Sequence, residues 1–229
     1  MAIRALVFDT FGTLVDWRSG VAREAERLIP GLDGGAFADA WRARYQPSME
    51  AVRSGKRPFV DLDTLQAESL DGLLADFGRA DADTAVKREL VLAWHRLDAW
   101  PEVPSAMADL RKAFVLAPLS NGHVRLIVAL ARRNGLVFDA VLGAAFSRDY
   151  KPKPALYRDA VAALGFRADE TLMVAAHSDD LAAAAGEGLS TAHVARPSEN
   201  GPAGGETGPA VAVTFAARDL ADLARQLGA

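Results

Sequence analysis

Val7-Phe8-Asp9-Thr10-Phe11-Gly12-Thr13-Leu14 is the stretch on which the fold turns. Ile3 to Phe8 is a short apolar run rich in β-formers, halted by Asp9 and Gly12. Such a run reads as a fully buried strand. It sets the Asp9 carboxylate at a strand end, just ahead of a glycine turn, where it can be aimed at a substrate carbon. The plainer role for an aspartate in that position is to form the turn itself.

Working outward, the texture changes after Gly20. As far as about Leu97, apolar residues recur at helical spacing: Phe37, Trp41 and Tyr45, then Leu65, Leu70 and Leu73, then Val86, Leu90 and Trp94. No strand interrupts this block. Past Pro101 strands and helices alternate. Phe114–Leu119, Ala140–Ala144, Leu172–Ala176, Thr191–Val194 and Val211–Thr214 read as strands. Val124–Asn134, Pro154–Leu164, Asp179–Glu187 and Ala217–Leu227 read as helices, the second opened by a proline in its first turn. Alternation of this kind predicts an α/β fold, a parallel sheet covered on both faces. Residues 1–16 and 98–229 then form a Rossmann-like core, and residues 17–97 an inserted α-helical cap. Arg196–Pro209, rich in glycine and proline, reads as a mobile surface loop.

In such sheets ligands sit at the C-terminal ends of the strands. Asp9, the Leu119-Ser120-Asn121-Gly122 segment and the Val174-Ala175-Ala176-His177-Ser178-Asp179-Asp180 segment each follow a predicted strand. They therefore converge on one crevice. A fourth segment, Tyr150-Lys151-Pro152-Lys153-Pro154 with Tyr157 beyond, brings a cation. In order and spacing, the four together resemble the haloacid dehalogenase superfamily. Trp41-Arg42 within the helical block resembles its type II branch, the L-2-haloacid dehalogenases. The resemblance implies a Rossmann-like core with a helical cap, a halogenated carboxylate as substrate, no cofactor and a homodimer, for which the apolar cap helices are the expected contact.

Asp9 is then the covalent nucleophile. Lys151 supplies a positive charge that lowers the Asp9 pKa and keeps it ionised without magnesium. Thr13 hydrogen-bonds a carboxylate or simply holds the turn. Ser120 and Asn121 offer a hydroxyl, an amide and backbone N–H groups that can hold a carboxylate or departing anion. Arg42 is the natural clamp for an anion, and the resemblance implies that it helps receive the halide; Arg44, two residues on, is its rival. Asp180 positions or deprotonates the water that opens the ester, with Asp179 as the alternative. Tyr157 hydrogen-bonds substrate or nucleophile, and Phe59 lines the cap side of the pocket or packs in the core.

Phosphatases of the superfamily carry a second aspartate where Phe11 stands and an acidic magnesium ligand where Ala176 stands. An alanine methyl cannot ligate a hard cation. A halide needs no proton to leave, so Phe11 is compatible with dehalogenation, where it can wall a dry pocket. The resemblance departs at the last motif, where the branch has Ser, Ser and Asn in place of Ala175, Ala176 and His177, and an aromatic in place of Asp179. His177 donates to substrate or halide, assists the second step, or is a hydrogen-bonding spacer. A donor there could favour fluoride, as in dehalogenases that accept fluoroacetate. Besides 2-haloacid hydrolysis, two readings stay open: another hydrolase with the same nucleophile (a phosphatase, or one opening a strained ring acid), and a non-catalytic anion-binding relative.

Bulk properties narrow the setting. The chain has 229 residues, 50% of them hydrophobic, and a net charge of −4 with scattered basic residues, so nothing tracks a nucleic-acid backbone. No apolar stretch is long and charge-free enough to span a bilayer. The chain has no cysteine, and it starts with a strand-like run in place of a secretory leader, so a cytoplasmic location is expected. His95, His123 and His193 are dispersed in sequence and suggest no metal site.

Overall fold

The computed structural model describes residues 2–229. Six strands form one sheet: β1 (Ala5–Phe8), β2 (Val115–Ser120), β3 (Leu142–Gly143), β4 (Thr171–Ala175), β5 (Ser190–Val194) and β6 (Phe215–Ala217). All pairings are parallel and the order is β3-β2-β1-β4-β5-β6. β1 lies at the centre, wholly buried, which is why its sequence is apolar without alternation. The loops after β1, β2 and β4 leave the same edge side by side, as the switch-point rule requires.

Between β1 and β2 lie α1 (Trp17–Leu28), α2 (Gly34–Arg53), α3 (Leu62–Asp76), α4 (Thr84–Ala93) and α5 (Val103–Leu110). The first four pack on one another, and each begins at an aspartate. Asp16, Asp33, Asp61 and Asp83 accept from the backbone N–H of Ser19, Ala36, Thr64 and Val86, and so satisfy one otherwise orphaned donor per helix. An aromatic cluster fills the space beneath them. Trp94 stacks on Trp17 at 6.3 Å and meets Phe11 and Trp41 edge-on at 5.8 and 5.7 Å. Such pairs add about 0.5–1.5 kcal/mol each beyond their burial. Phe11 thus ties the turn after β1 to the helices above it.

The chain leaves and re-enters the sheet layer through a narrow stem. The Asp16 N–H donates to the Asp98 carbonyl at 3.0 Å and the Trp100 N–H to the Leu14 carbonyl at 3.1 Å, flanking an antiparallel bridge between Val15 and Ala99.

The remaining helices are α6 (Val124–Asn134), α7 (Ala144–Ser147), α8 (Pro154–Leu164), α9 (Ser178–Gly186) and α10 (Leu220–Gln226). α6 and α8 have the limits their sequences predict. Three expectations need correction. The third strand is only Leu142–Gly143, because its chain turns at once into α7. The last strand is Phe215–Ala217, beyond the expected 211–214. Its place is fixed by pairing with β5, and Val211 and Val213 instead pack as irregular chain against the apolar cluster around β4 and α9. The third concerns Arg196–Pro209, which is not a loose surface loop. Arg196 and Glu199 within it are buried. The Arg196 Nε donates to the Thr13 carbonyl at 3.0 Å and its Nη1 pairs with Glu102 at 2.7 Å. Among the described residues, no helix is long and apolar enough to cross a membrane.

Candidate active site

Asp9 closes β1, and its N–H is held by the Val174 carbonyl of β4 at 3.0 Å, which fixes its carboxylate over the sheet edge. Thr13, one turn on, donates its hydroxyl to Asp9 Oδ2 at 2.8 Å and accepts the Ala176 N–H at 2.9 Å. Lys151 reaches in from the loop before α8. Its Nζ lies 3.1 Å from Asp9 Oδ1 and 2.6 Å from Asp180 Oδ2. Asp180, in the first turn of α9, accepts the Tyr157 hydroxyl on Oδ1 at 2.6 Å. The three charged groups are nearly buried, so each depends on the others.

Burial alone would raise the Asp9 pKa, but the Lys151 charge and hydrogen bonds from His177 and Thr13 hold it far below the usual carboxylate range. Burial opposes charging Lys151 as well, and is outweighed by Asp180 and Asp9, which raise its pKa. Asp180 is pushed the other way, upward, by burial and by the Asp9 charge against the opposing pull of Lys151. The site therefore holds an ionised Asp9 carboxylate beside a charged Lys151 ammonium.

His177, at the N-terminus of α9, stands on the other side of Asp9. Its Nδ1 is 3.3 Å from Asp9 Oδ2, and its Nε2 is 2.9 and 3.0 Å from the two carboxylate oxygens of Glu199. Burial disfavours the imidazolium, but hydrogen bonds to Asp9 and Glu199 and their charges prevail and raise the His177 pKa to about 10. Glu199 also accepts the indole N–H of Trp17 at 3.0 Å. It comes from the Gly/Pro-rich segment, whose turn passes directly over Gly12.

These groups open on a cavity of about 220 Å³ lined by Asp9, Phe11, Arg42, Tyr45, Asn121 and His177, among others. Arg42 lies over the Tyr45 ring at 4.3 Å and the Trp17 ring at 5.1 Å, and its buried Nη1 has no hydrogen-bond partner among the described residues. Arg44 is turned away, paired with Asp76 on the surface. Asn121 lines the cavity and accepts the Lys151 N–H at 2.9 Å, joining the loop after β2 to the lysine loop.

The expected residues do not all gather here. Ser120 is fully buried and its hydroxyl accepts the Gly122 N–H at 3.0 Å, shaping the turn beside the cavity and not its lining. Tyr157 is also fully buried and donates to Asp180, not to Asp9, and is not among the cavity-lining residues. Phe59 packs on Tyr150 at 5.3 Å under the Arg148 guanidinium, outside the cavity lining. Asp179 and Asp180 both line the cavity; Asp180 is buried with both oxygens engaged, whereas Asp179 is exposed. Two members escaped the sequence reading. Tyr45 looked like one more apolar helix position, and Glu199 sits in a segment with no periodicity to mark it.

A family profile described as haloacid dehalogenase-like hydrolase matches residues 3–188. The chain belongs to that family. Among its relatives, this hydrolase is 31% identical to (S)-2-haloacid dehalogenase 4A of Burkholderia cepacia over 85% of this chain and 84% of that one. It is 33% identical to the (S)-2-haloacid dehalogenase of Xanthobacter autotrophicus over 86% and 77% of the two chains. Among solved structures, a defluorinating L-2-haloacid dehalogenase superposes with a TM-score of 0.94 at 41% identity, covering 99% of this chain and 96% of the other. The Xanthobacter autotrophicus enzyme with chloropropionic acid covalently bound superposes with a TM-score of 0.84 at 29% identity, covering 99% and 98%.

Proposed function

We propose that this hydrolase converts short L-2-haloacids to 2-hydroxyacids through an ester on Asp9. The observation that carries the reading is the pairing of an ionised Asp9 with the buried Lys151 ammonium in a small cavity where the Arg42 guanidinium keeps an N–H unpaired among the described residues. The Asp9 carboxylate displaces the halogen at C2, and the halide leaves with its electron pair towards Arg42. Oδ1, with Lys151 as its one donor, is the attacking oxygen; Oδ2 is held by Thr13 and His177. Splitting the displacement through an ester replaces one hard step with two easier ones.

Esterification removes the Asp9 charge that helps hold His177 protonated. The imidazolium then loses its proton to solvent. With Glu199 behind it, the neutral ring takes a proton from the water attacking the ester carbonyl, passes it to the product oxygen as the ester bond breaks, and is recharged by the proton of the freed Asp9 carboxyl. Water oxygen stays on Asp9, and the product carries away the former carboxylate oxygen. Asp180, engaged through both oxygens, holds Lys151 in place with Tyr157 behind it. Asn121 orients the Lys151 loop, Ser120 shapes the turn beside it, and Phe11 and Tyr45 keep the nucleophile poorly solvated. Phe59 acts indirectly, through Tyr150.

Residues 17–97 serve as the cap that closes on the substrate, over a core of 1–16 and 98–229. Fluoroacetate belongs to the same substrate range; His177 beside the cavity and the 41%-identical defluorinating relative both favour it. A homodimer and a cytoplasmic location are part of the reading. The large exposed apolar side chains among the described residues are Val124, Val128, Val137 and Phe146, which points to a contact through α6 and the chain following it in place of the insertion. Sedimentation tests this assembly, and cell fractionation the location.

A phosphatase is disfavoured. Phe11 presents hydrocarbon where a leaving-group acid is needed, and buried Ala176 offers no oxygen donor from its side chain.

The test is halide release from chloroacetate, L- and D-2-chloropropionate and fluoroacetate in EDTA, with wild type and Asp9→Asn. L-selective release lost in the variant is the expected result, and oxygen from labelled water enters Asp9 in a single turnover. Label found only in the first-turnover product would overturn the ester route.

A further inference from the structure

We propose that Asp63, His95 and His123 bind one zinc-class dication, which clamps the helical insertion to the loop after β2. Asp63 lies in the first turn of α3, His95 just beyond α4, and His123 immediately before α6. These residues are far apart in sequence, yet one ligand atom from each lies within 4.8 Å of the others. The structure thus corrects the expectation that His95 and His123 are too dispersed to meet. His95 Nε2 is 2.8 and 3.0 Å from the Asp63 oxygens, and His123 Nε2 is 3.5 Å from Oδ2.

Imidazole nitrogen and carboxylate oxygen are the donors zinc takes, at about 2.0–2.2 Å in a tetrahedral shell that a water can complete. Donors in such a shell sit about 3.4 Å apart by that geometry. The spacings here bracket that value, so small side-chain rotations form the site. Both imidazoles are buried, and His123 Nδ1 has no partner among the described residues, so no hydrogen bond at that nitrogen holds the ring away from Asp63. The competing cation is Arg125, with Nη2 2.8 Å from Asp63 Oδ2, but its side chain is 71% exposed and free to turn to solvent. The chemistry at Asp9 makes no use of this cluster. A metal here joins two helices of the insertion to the chain two residues past Asn121, and so fixes how the insertion sits on the cavity.

The test is titration of the EDTA-stripped full chain with zinc by calorimetry, alongside cobalt(II) as a spectroscopic probe. One site per chain, tetrahedral cobalt bands and a zinc-dependent rise in melting temperature are expected. His123→Asn and Asp63→Asn each weaken binding by more than about tenfold, since losing even an outer-shell partner of a metal costs about 10- to 100-fold. Arg125→Ala tightens it. His95→Gln, which can still hydrogen-bond Asp63, also loses the metal and covers the case in which another variant fails to fold, as checked by circular dichroism. No uptake by wild type, or uptake that survives all three ligand substitutions, would overturn the proposal. Halide release in EDTA is read separately, so failure here leaves the Asp9 chemistry untouched.

Discussion

The Glu199 carboxylate lies against the α-carbon of Gly12: a β-carbon built there, at a φ of +88°, would stand 2.1 Å from Oε1. Gly12 therefore meets two demands at once, a left-handed backbone and room for the carboxylate that supports His177.

Gly12→Ala is expected to destabilise the fold by about 1–3 kcal/mol from backbone strain alone, and by more from the clash. In urea unfolding, adding Glu199→Ala should recover the clash part and leave the strain. If the double variant is no better than the sum of the singles, the two residues do not constrain each other.

Glu199→Gln removes the charge behind His177. The first turnover should still release halide, while ester hydrolysis slows by about 100-fold or more, within the usual range for a lost acid–base group. Mass spectrometry of quenched enzyme would then find the Asp9 ester of the substrate accumulating. A variant slowed equally in halide release and in hydrolysis would place Glu199 outside the second step.

His177 carries a raised pKa of about 10 in the folded chain, against about 6.5 unfolded. Its contribution to stability is thus complete below pH 6.5 and is lost as pH rises from there through about 10. Unfolding free energies of wild type and His177→Asn, measured from pH 6 to 10, should converge with rising pH. A constant difference would contradict the protonated state.

Arg42→Lys keeps the charge but loses the planar guanidinium stacked on Tyr45 and Trp17. A loss of about 10- to 100-fold in kcat/KM for L-2-chloropropionate is expected, the worth of a hydrogen bond to a charged group. Arg44→Lys should leave that constant unchanged. Steady-state halide assays compare the two directly.

Tyr157→Phe frees one oxygen of Asp180, although Tyr157 itself is not among the residues lining the cavity. Its kcat should fall by about tenfold with KM unchanged, because the Asp180–Lys151 pair loosens while the binding walls stay in place. A change confined to KM would return Tyr157 to the substrate.

Much of this architecture was legible in the chain. The position of Asp9 at the end of β1 was legible because a buried central strand is an unbroken apolar run that ends abruptly, and the limits of α6 and α8 because amphipathic spacing and a closing glycine agree in both, with an opening proline in α8. Glu199 was not legible. A Gly/Pro-rich segment carries no periodicity, and what folds it back is contact with distant partners, Thr13, Trp17, Glu102 and His177. Tyr157 turns to Asp180, a direction that position near a motif does not fix, while Phe59 takes the core-packing alternative left open for it. His95 and His123 met only because the insertion folds down on the sheet.

The stem through which the chain leaves at Val15 and returns at Ala99 has a wider consequence. Because the two ends run side by side, everything between them can be exchanged without moving the strand ends at Asp9 and Ser120 or the first turn of α9 at Asp180. One wall of the reaction chamber, bearing Arg42 and Tyr45, is then a replaceable module. Transplanting the insertion of a relative at that junction offers a route to new substrate preferences on an unaltered chemical engine.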